Sequence, residues 1–148
     1  MSTTLHLTHA YDATPDQVWQ VATDMDALRE AVAGLLVYEN LPSGRIFEGQ
    51  EIDVRFSLFG KLPWQDYHMK VTQLDETARS FVSAEHGGGV KAWCHKLRVE
   101  ETPSGARIIE SIEIDAGIMT PIYAAWGRFM YRRRHAPRVA MLARLTKP

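Results

Sequence analysis

The stretch that most constrains this chain is TPIYAAWGRFMYRRRHAPRVAMLARL, from Thr120 to about Leu145. Thr120 suits a helix cap, and Pro121 suits the first helical turn, where a backbone N–H is not needed. Ile122, Trp126, Phe129 and Met130, then Val139, Ala140 and Met141, recur every three or four residues. That spacing predicts one apolar stripe with arginines beside it. At about 1.5 Å per residue such a helix is a rod of roughly 35–40 Å. A ten-residue strand at about 3.3 Å per residue has nearly the same length. Almost everything before Thr120 reads as such strands, so the pattern predicts a long helix laid along a curved sheet. Pro137 removes a backbone hydrogen bond and is expected to kink the rod near Arg133.

In chain order, Leu5, Leu7 and His9 alternate with His6 and Thr8 across a first strand, Thr3 to Tyr11. Thr14, Pro15 and Gln17 carry the signature of a capping box, opening a short helix with Val18, Trp19 and Val21. Met25 to Ala33 reads as a second short helix ending at Gly34. Strands are expected at Leu35–Leu41, Glu51–Phe59, Trp64–Leu74, Arg79–His86, Val90–Glu101 and Ala106–Asp115. Turns at Pro42–Gly44, Gly60–Pro63, Gly87–Gly89 and Thr102–Gly105 separate them. Two short helices followed by a run of strands make an α+β pattern with about seven antiparallel strands. The 148 residues show no repeat or linker, so one domain, 1–148, is expected.

With 45% hydrophobic and 24% charged residues, the mix is that of an ordinary soluble globular protein. The formal net charge of −1 excludes a strong overall field towards nucleic acid or membrane. One cysteine, Cys94, rules out an internal disulfide. The first residues lack a basic start and a long apolar core, so a cytoplasmic protein without a signal peptide is expected. Scattered histidines (His6, His9, His68, His86) lack zinc-ligand spacing, so no metal and no cofactor are expected. The run Arg132-Arg133-Arg134-His135 reads as the solvated side of the helix rather than an anion or RNA site. Cys94 should face outward, without a partner that would make it a nucleophile.

Two adjacent strands carry the residues with chemistry. Alternation puts Trp93, His95, Leu97 and Val99 on one face and Cys94, Lys96, Arg98 and Glu100 on the other. The same test turns Ile108, Glu110, Ile112 and Ile114 inward. A turn pairing Glu101 with Ala106 sets Leu97 opposite Glu110 and His95 opposite Ile112, making His95 and Glu110 diagonal neighbours. Across the glycine turn, Phe81 is expected near His95 and Ser83 near Trp93, with Glu85 on the same face. An inward imidazole and carboxylate in an apolar lining require partners, because an unpaired buried polar group costs about 1–3 kcal/mol. Either they satisfy each other in a solid core, or they project into a hollow and meet a ligand. Trp64, Tyr67 and Met69 are further candidates for lining it, with plain core packing as the alternative.

The spacing Phe81-x-Ser83-x-Glu85-x-x-Gly88-x-x-x-x-Trp93-x-His95, the later Glu110, and Ala125-Trp126-x-Arg128-x-Met130-Tyr131-x-x-Arg134-His135-x-Pro137-Arg138 resemble one branch of the START/polyketide-cyclase-like (SRPBCC) superfamily. Ala13-Thr14-Pro15-x-x-Val18-Trp19 is similar to that superfamily's opening into its first helix. The resemblance implies a helix-grip fold, with a bent antiparallel sheet wrapped around the C-terminal helix and a deep pocket between them. It implies a binder of lipids, quinones, polyketides or other hydrophobic or aromatic small molecules. The alternatives are a cyclase or dehydratase with His95 as general acid/base tuned by Glu110, or a protein-interaction module. The expected ligand contacts are Trp93, Phe81, Ser83, Glu85, Tyr67, Met69, Ile112, Trp126 and Met130; nucleic acid and integral membrane are not expected as partners, and a homodimer is possible. Many relatives resemble Trp-x-His-x-His on the long strand, but here Leu97 holds the second position. Ser83 and Glu85 stand where relatives often carry aspartate and glutamine, and Glu110 where they carry aspartate. A doubled-histidine metal or acid–base arrangement is therefore not expected.

Overall fold

The computed structural model describes residues 1–146, and its elements follow local chemistry closely. Strand β1 (Thr3–Tyr11) leads into α1 (Pro15–Ala22), whose capping box is formed: Thr14 Oγ1 accepts from the Gln17 N–H, and the Gln17 side chain accepts from the Thr14 N–H. Asp24 caps α2 (Met25–Ala31), which ends two residues earlier than its pattern implied. Then come β2 (Leu36–Glu39), β3 (Glu51–Leu58), β4 (Gln65–Asp75), β5 (Ser80–Gly87), β6 (Val90–Thr102) and β7 (Gly105–Asp115). Strand β2 is shorter than the expected Leu35–Leu41. Asn40 turns to φ 67°, a left-handed conformation that stops the ladder, and Leu35 and Leu41 go to the core instead.

All seven strands form one antiparallel sheet in the order β1-β7-β6-β5-β4-β3-β2. The β6–β7 register is the expected one, with Leu97 opposite Glu110 and His95 opposite Ile112. The β5–β6 register differs by two residues: Phe81 pairs with Leu97, Ser83 with His95 and Glu85 with Trp93. The cause is an irregularity between Glu85 and Gly87 together with a tight Gly88-Gly89 turn, so Gly87 pairs directly with Val90. Two glycines there have a steric reason. A Cβ on Gly87 would come 2.4 Å from the Asp66 carbonyl oxygen, and one on Gly89 would come 2.2 Å from the Tyr123 hydroxyl.

A 3₁₀ turn (Gly117–Met119) carries the chain to α3 (Thr120–Arg133) and α4 (His135–Thr146), with a break at Arg134. The break falls where Pro137 removes the N–H that would reach back to Arg133. Thr120 does not act as the cap; it is the first helical residue, and its buried hydroxyl donates to the Gly117 carbonyl (2.6 Å) and accepts from the Ala116 N–H (3.0 Å). The expected apolar stripe is also revised. Met130 and Met141 are buried, but Ile122, Phe129, Val139 and Ala140 are exposed. The face that packs inward is Ala124, Gly127, Tyr131, Arg134, Arg138 and Leu142. The helix therefore rotates to bring its small residues onto the sheet. At Gly127 an added Cβ would lie 3.0 Å from the Trp93 ring and 3.3 Å from Ile114. Here α3 packs over β1 and β7, whereas α4 packs on α1 and α2. Arg144 fixes that second contact from outside through Glu30 (2.7 Å).

Candidate functional site

Near the break two adjoining hollows lie between the sheet and the helices. The outer one, about 380 Å³, is bounded by Phe56, Tyr67, Val90, Trp93, Trp126 and Met130. The inner one, about 90 Å³, reaches Met69, Phe81, Ser83, His95 and Leu97. Tyr38, Glu85, Tyr131 and Arg134 border both, so they form the waist between the chambers. An exposed aromatic rim follows on the helix side of the outer chamber: Phe59 meets Trp126 edge-on at 5.8 Å, and Trp126 lies 5.8 Å from Phe129.

The expected residues divide into groups. Phe81, Ser83, Met69 and His95 line the inner chamber; Tyr67, Trp93, Trp126 and Met130 line the outer; Glu85 borders both. Glu110 does not reach the hollow. It is 1% exposed and sits behind His95, and its position on β7 aims it under α4. Ile112 is fully buried among Leu5, Leu7 and Ile114, as solid core. Trp64 is excluded as well: β4 begins one residue later, and the indole lies partly exposed under the Arg55 guanidinium.

His95 and Glu110 meet at 2.6 Å from Nε2 to Oε2, with both side chains buried. Burial alone would raise the Glu110 carboxyl. The hydrogen bond from His95 and the charges of Arg138 and Arg134 outweigh it and hold the group at about 2. Glu110 is thus a carboxylate, and His95 donates its Nε2–H to it. That leaves His95 Nδ1 as the nitrogen with no partner among the described residues. The imidazole is held in place by the Phe81 ring, edge-on at 5.5 Å, and by Tyr131 at 5.1 Å. Arg138 Nη1 approaches the other Glu110 oxygen at 3.6 Å, an ion-pair distance too long for a hydrogen bond. Behind it His135 stacks on His9 at 5.1 Å.

The waist has its own network. Tyr67 donates its hydroxyl to Glu85 Oε1 (2.9 Å), and Ser83 donates to Oε2 (2.5 Å). The Trp93 indole N–H donates to the Tyr131 hydroxyl (3.0 Å). Burial drives the Tyr38 phenol up to about 12 and also raises those of Tyr67 and Tyr131 well above the ordinary phenol value, so all three stay protonated. Arg134 is 7% exposed, with its guanidinium 4.3 Å from the Tyr131 ring. The arginine run was expected to be solvated; Arg132 and Arg133 are, but Arg134 and Arg138 point inward. Their sequence signal is the spacing 127–131–134–138 shared with Gly127 and Tyr131, which is visible only once the buried face is known. Among the described residues no cluster of three or more His, Cys, Asp or Glu could hold a metal. Among the same residues no helix is long and apolar enough to cross a membrane.

No protein-family model and no curated protein sequence matches the chain. Solved structures do. Norcoclaurine synthase from Thalictrum flavum, in complex with dopamine and hydroxybenzaldehyde, superposes with a TM-score of 0.70 at 20% identity, over 100% of this chain and 90% of that one. Protein CV1439 from Chromobacterium violaceum gives 0.72 at 15% identity, over 95% and 97%. Ara h 8.0201 gives 0.69 at 10% identity, over 95% and 99%. At these identities the likeness establishes architecture, and with the curved seven-stranded sheet and the C-terminal helices it shows that this chain has an α+β helix-grip fold.

Proposed function

We propose that this protein binds a hydrophobic or aromatic small molecule in the double chamber beneath the helix break. The observation that carries this reading is the outer chamber of about 380 Å³ with aromatic and aliphatic walls. Empty apolar space of this size forfeits packing contacts that a folded core would otherwise make, so a structure that keeps it gains when a ligand supplies them. The hollow lies between sheet and helix, where ligand pockets of this kind concentrate polar groups at one end and apolar walls at the other. The polar end here is the waist and His95. The test is native mass spectrometry of gently purified protein, followed by titration with apolar fluorescent probes and quinones. A bound lipophile, or saturable quenching of Trp93 and Trp126, supports the reading. If no apolar probe quenches the tryptophans, ligand binding is refuted.

One observation favours a second reading, in which the protein is an enzyme. His95 has one nitrogen anchored on an ionised, buried carboxylate and the other free at the wall of the inner chamber. That is the arrangement of a general base whose conjugate acid is stabilised from behind. The structural likeness to norcoclaurine synthase, a protein solved with dopamine and hydroxybenzaldehyde, is compatible with acid–base chemistry on an aromatic ligand. A His95→Ala variant that binds ligand as before but turns over no substrate supports this reading; equal turnover removes His95 from it.

A further inference from the structure

The waist between the two chambers has a surplus of hydrogen-bond donors. Arg134 lies there 7% exposed, and its Nε makes no hydrogen bond. Among the described residues no carboxylate comes within ion-pair distance of it; its neighbour is the face of Tyr131. The Tyr131 hydroxyl accepts from Trp93, so its own proton points elsewhere, and no acceptor among the described residues meets it. The Tyr38 hydroxyl also has no partner among the described residues, and Tyr38 borders both chambers. The acceptor at the waist is Glu85, and each of its oxygens already takes a hydroxyl, one from Tyr67 and one from Ser83. The second buried guanidinium, Arg138, also borders the inner chamber but is ion-paired with Glu110 at 3.6 Å. One buried positive charge and two phenolic protons therefore converge on the hollow without an acceptor among the described residues. A buried cation left in that state is costly, and a guanidinium presents its donors as a planar fork that suits a two-oxygen anion.

We propose that the waist recognises a carboxylate carried by an otherwise apolar ligand, and that Arg134 is the group that reads it. This rests on the ligand-binding reading above and adds the chemical class. The ligand's acid group lies at the waist against Arg134, with Tyr131 and Tyr38 as additional donors, and its apolar body fills the outer chamber. Glu85 keeps its hydrogen bonds from Tyr67 and Ser83.

The experiment compares two probes of nearly the same shape, 2-naphthoate and 2-naphthalenemethanol, by calorimetry and tryptophan quenching at neutral pH and low salt. Charge-assisted hydrogen bonds from a buried arginine make the acid bind about ten- to a hundredfold more tightly than the alcohol. In Arg134→Gln the acid falls to the alcohol's affinity while the alcohol's own affinity holds; Arg134→Lys keeps part of the preference. Equal binding of both probes to the wild-type protein overturns the proposal but leaves ligand binding standing. So does an acid preference that persists in a folded Arg134→Gln protein. If neither probe binds, both readings fall together. Should Arg134→Gln not fold, the wild-type ratio and Arg134→Lys decide the matter without it.

Discussion

Replacing Glu110 with alanine takes the partner from two groups at once, His95 at 2.6 Å and Arg138 at 3.6 Å. Breaking a buried ion pair from one side costs about 3–5 kcal/mol, because the remaining charge stays desolvated. The expected outcome is a loss of that size in denaturant unfolding. Acid should reproduce part of it. The Glu110 carboxyl is held below its ordinary 4.5, at about 2, so it binds fewer protons folded than unfolded through that range. Its contribution is complete above about pH 4.5 and disappears as pH falls through about 2, a change on the order of 3 kcal/mol. The stability gap between wild type and Glu110→Gln should therefore close across that window; a gap that stays constant with pH would show that the carboxylate charge contributes nothing. Tyr131→Phe tests a smaller bond. It strands the buried Trp93 indole N–H, and a loss of about 1–2 kcal/mol is expected, read from the same unfolding curves.

At the scale of the element, α3 depends on being able to come close at one point. Gly127 sits where a Cβ would already be 3.0 Å from Trp93, so Gly127→Leu must lift the helix from β1 and β7. Overpacking of that kind costs about 1–3 kcal/mol, although the substitution improves intrinsic helix propensity by up to about 1 kcal/mol. Net destabilisation is expected by thermal unfolding; a net gain would mean that α3 is not held by this contact. The same element shows why sequence reading failed where it did. The spacing of the large apolar residues predicts that they form the buried face, but Ile122 and Phe129 are exposed near the aromatic rim, and Ala124 and Gly127 are buried instead. Helical periodicity identifies a face and does not say which neighbour it meets, so Arg134 and Arg138 read as solvated.

For the molecule as a whole, a ligand that binds only the folded state adds about 2.7 kcal/mol of stability at a hundred times its Kd. For a chain of this length that corresponds to a rise of roughly 5–10 °C in Tm. Scanning calorimetry with and without a bound lipophile checks it; an unchanged Tm at saturation contradicts a ligand seated in the hollow. The hollow lies where α3, held close at Gly127, gives way at Arg134 to α4, which packs chiefly on α1 and α2. Phe56 of β3, Tyr67 and Met69 of β4 and Glu85 of β5 form its sheet-side wall.

What the sequence determined by itself was everything set by short-range periodicity and stereochemistry. The seven strands, the Thr14 capping box, the break at Pro137 and the inward turn of His95 and Glu110 all follow from spacing of two or 3.6 residues and from proline's missing N–H. Tertiary structure decided the rest. The glycine turn could pair β5 with β6 in more than one register, and the folded chain adopts the one that sets Ser83, not Phe81, opposite His95. Which helix face is buried, whether Glu110 meets a ligand or backs the histidine, and where an arginine loses its water depend on how separate elements pack. That packing is a long-range outcome of shape, and no local pattern of residues encodes it alone.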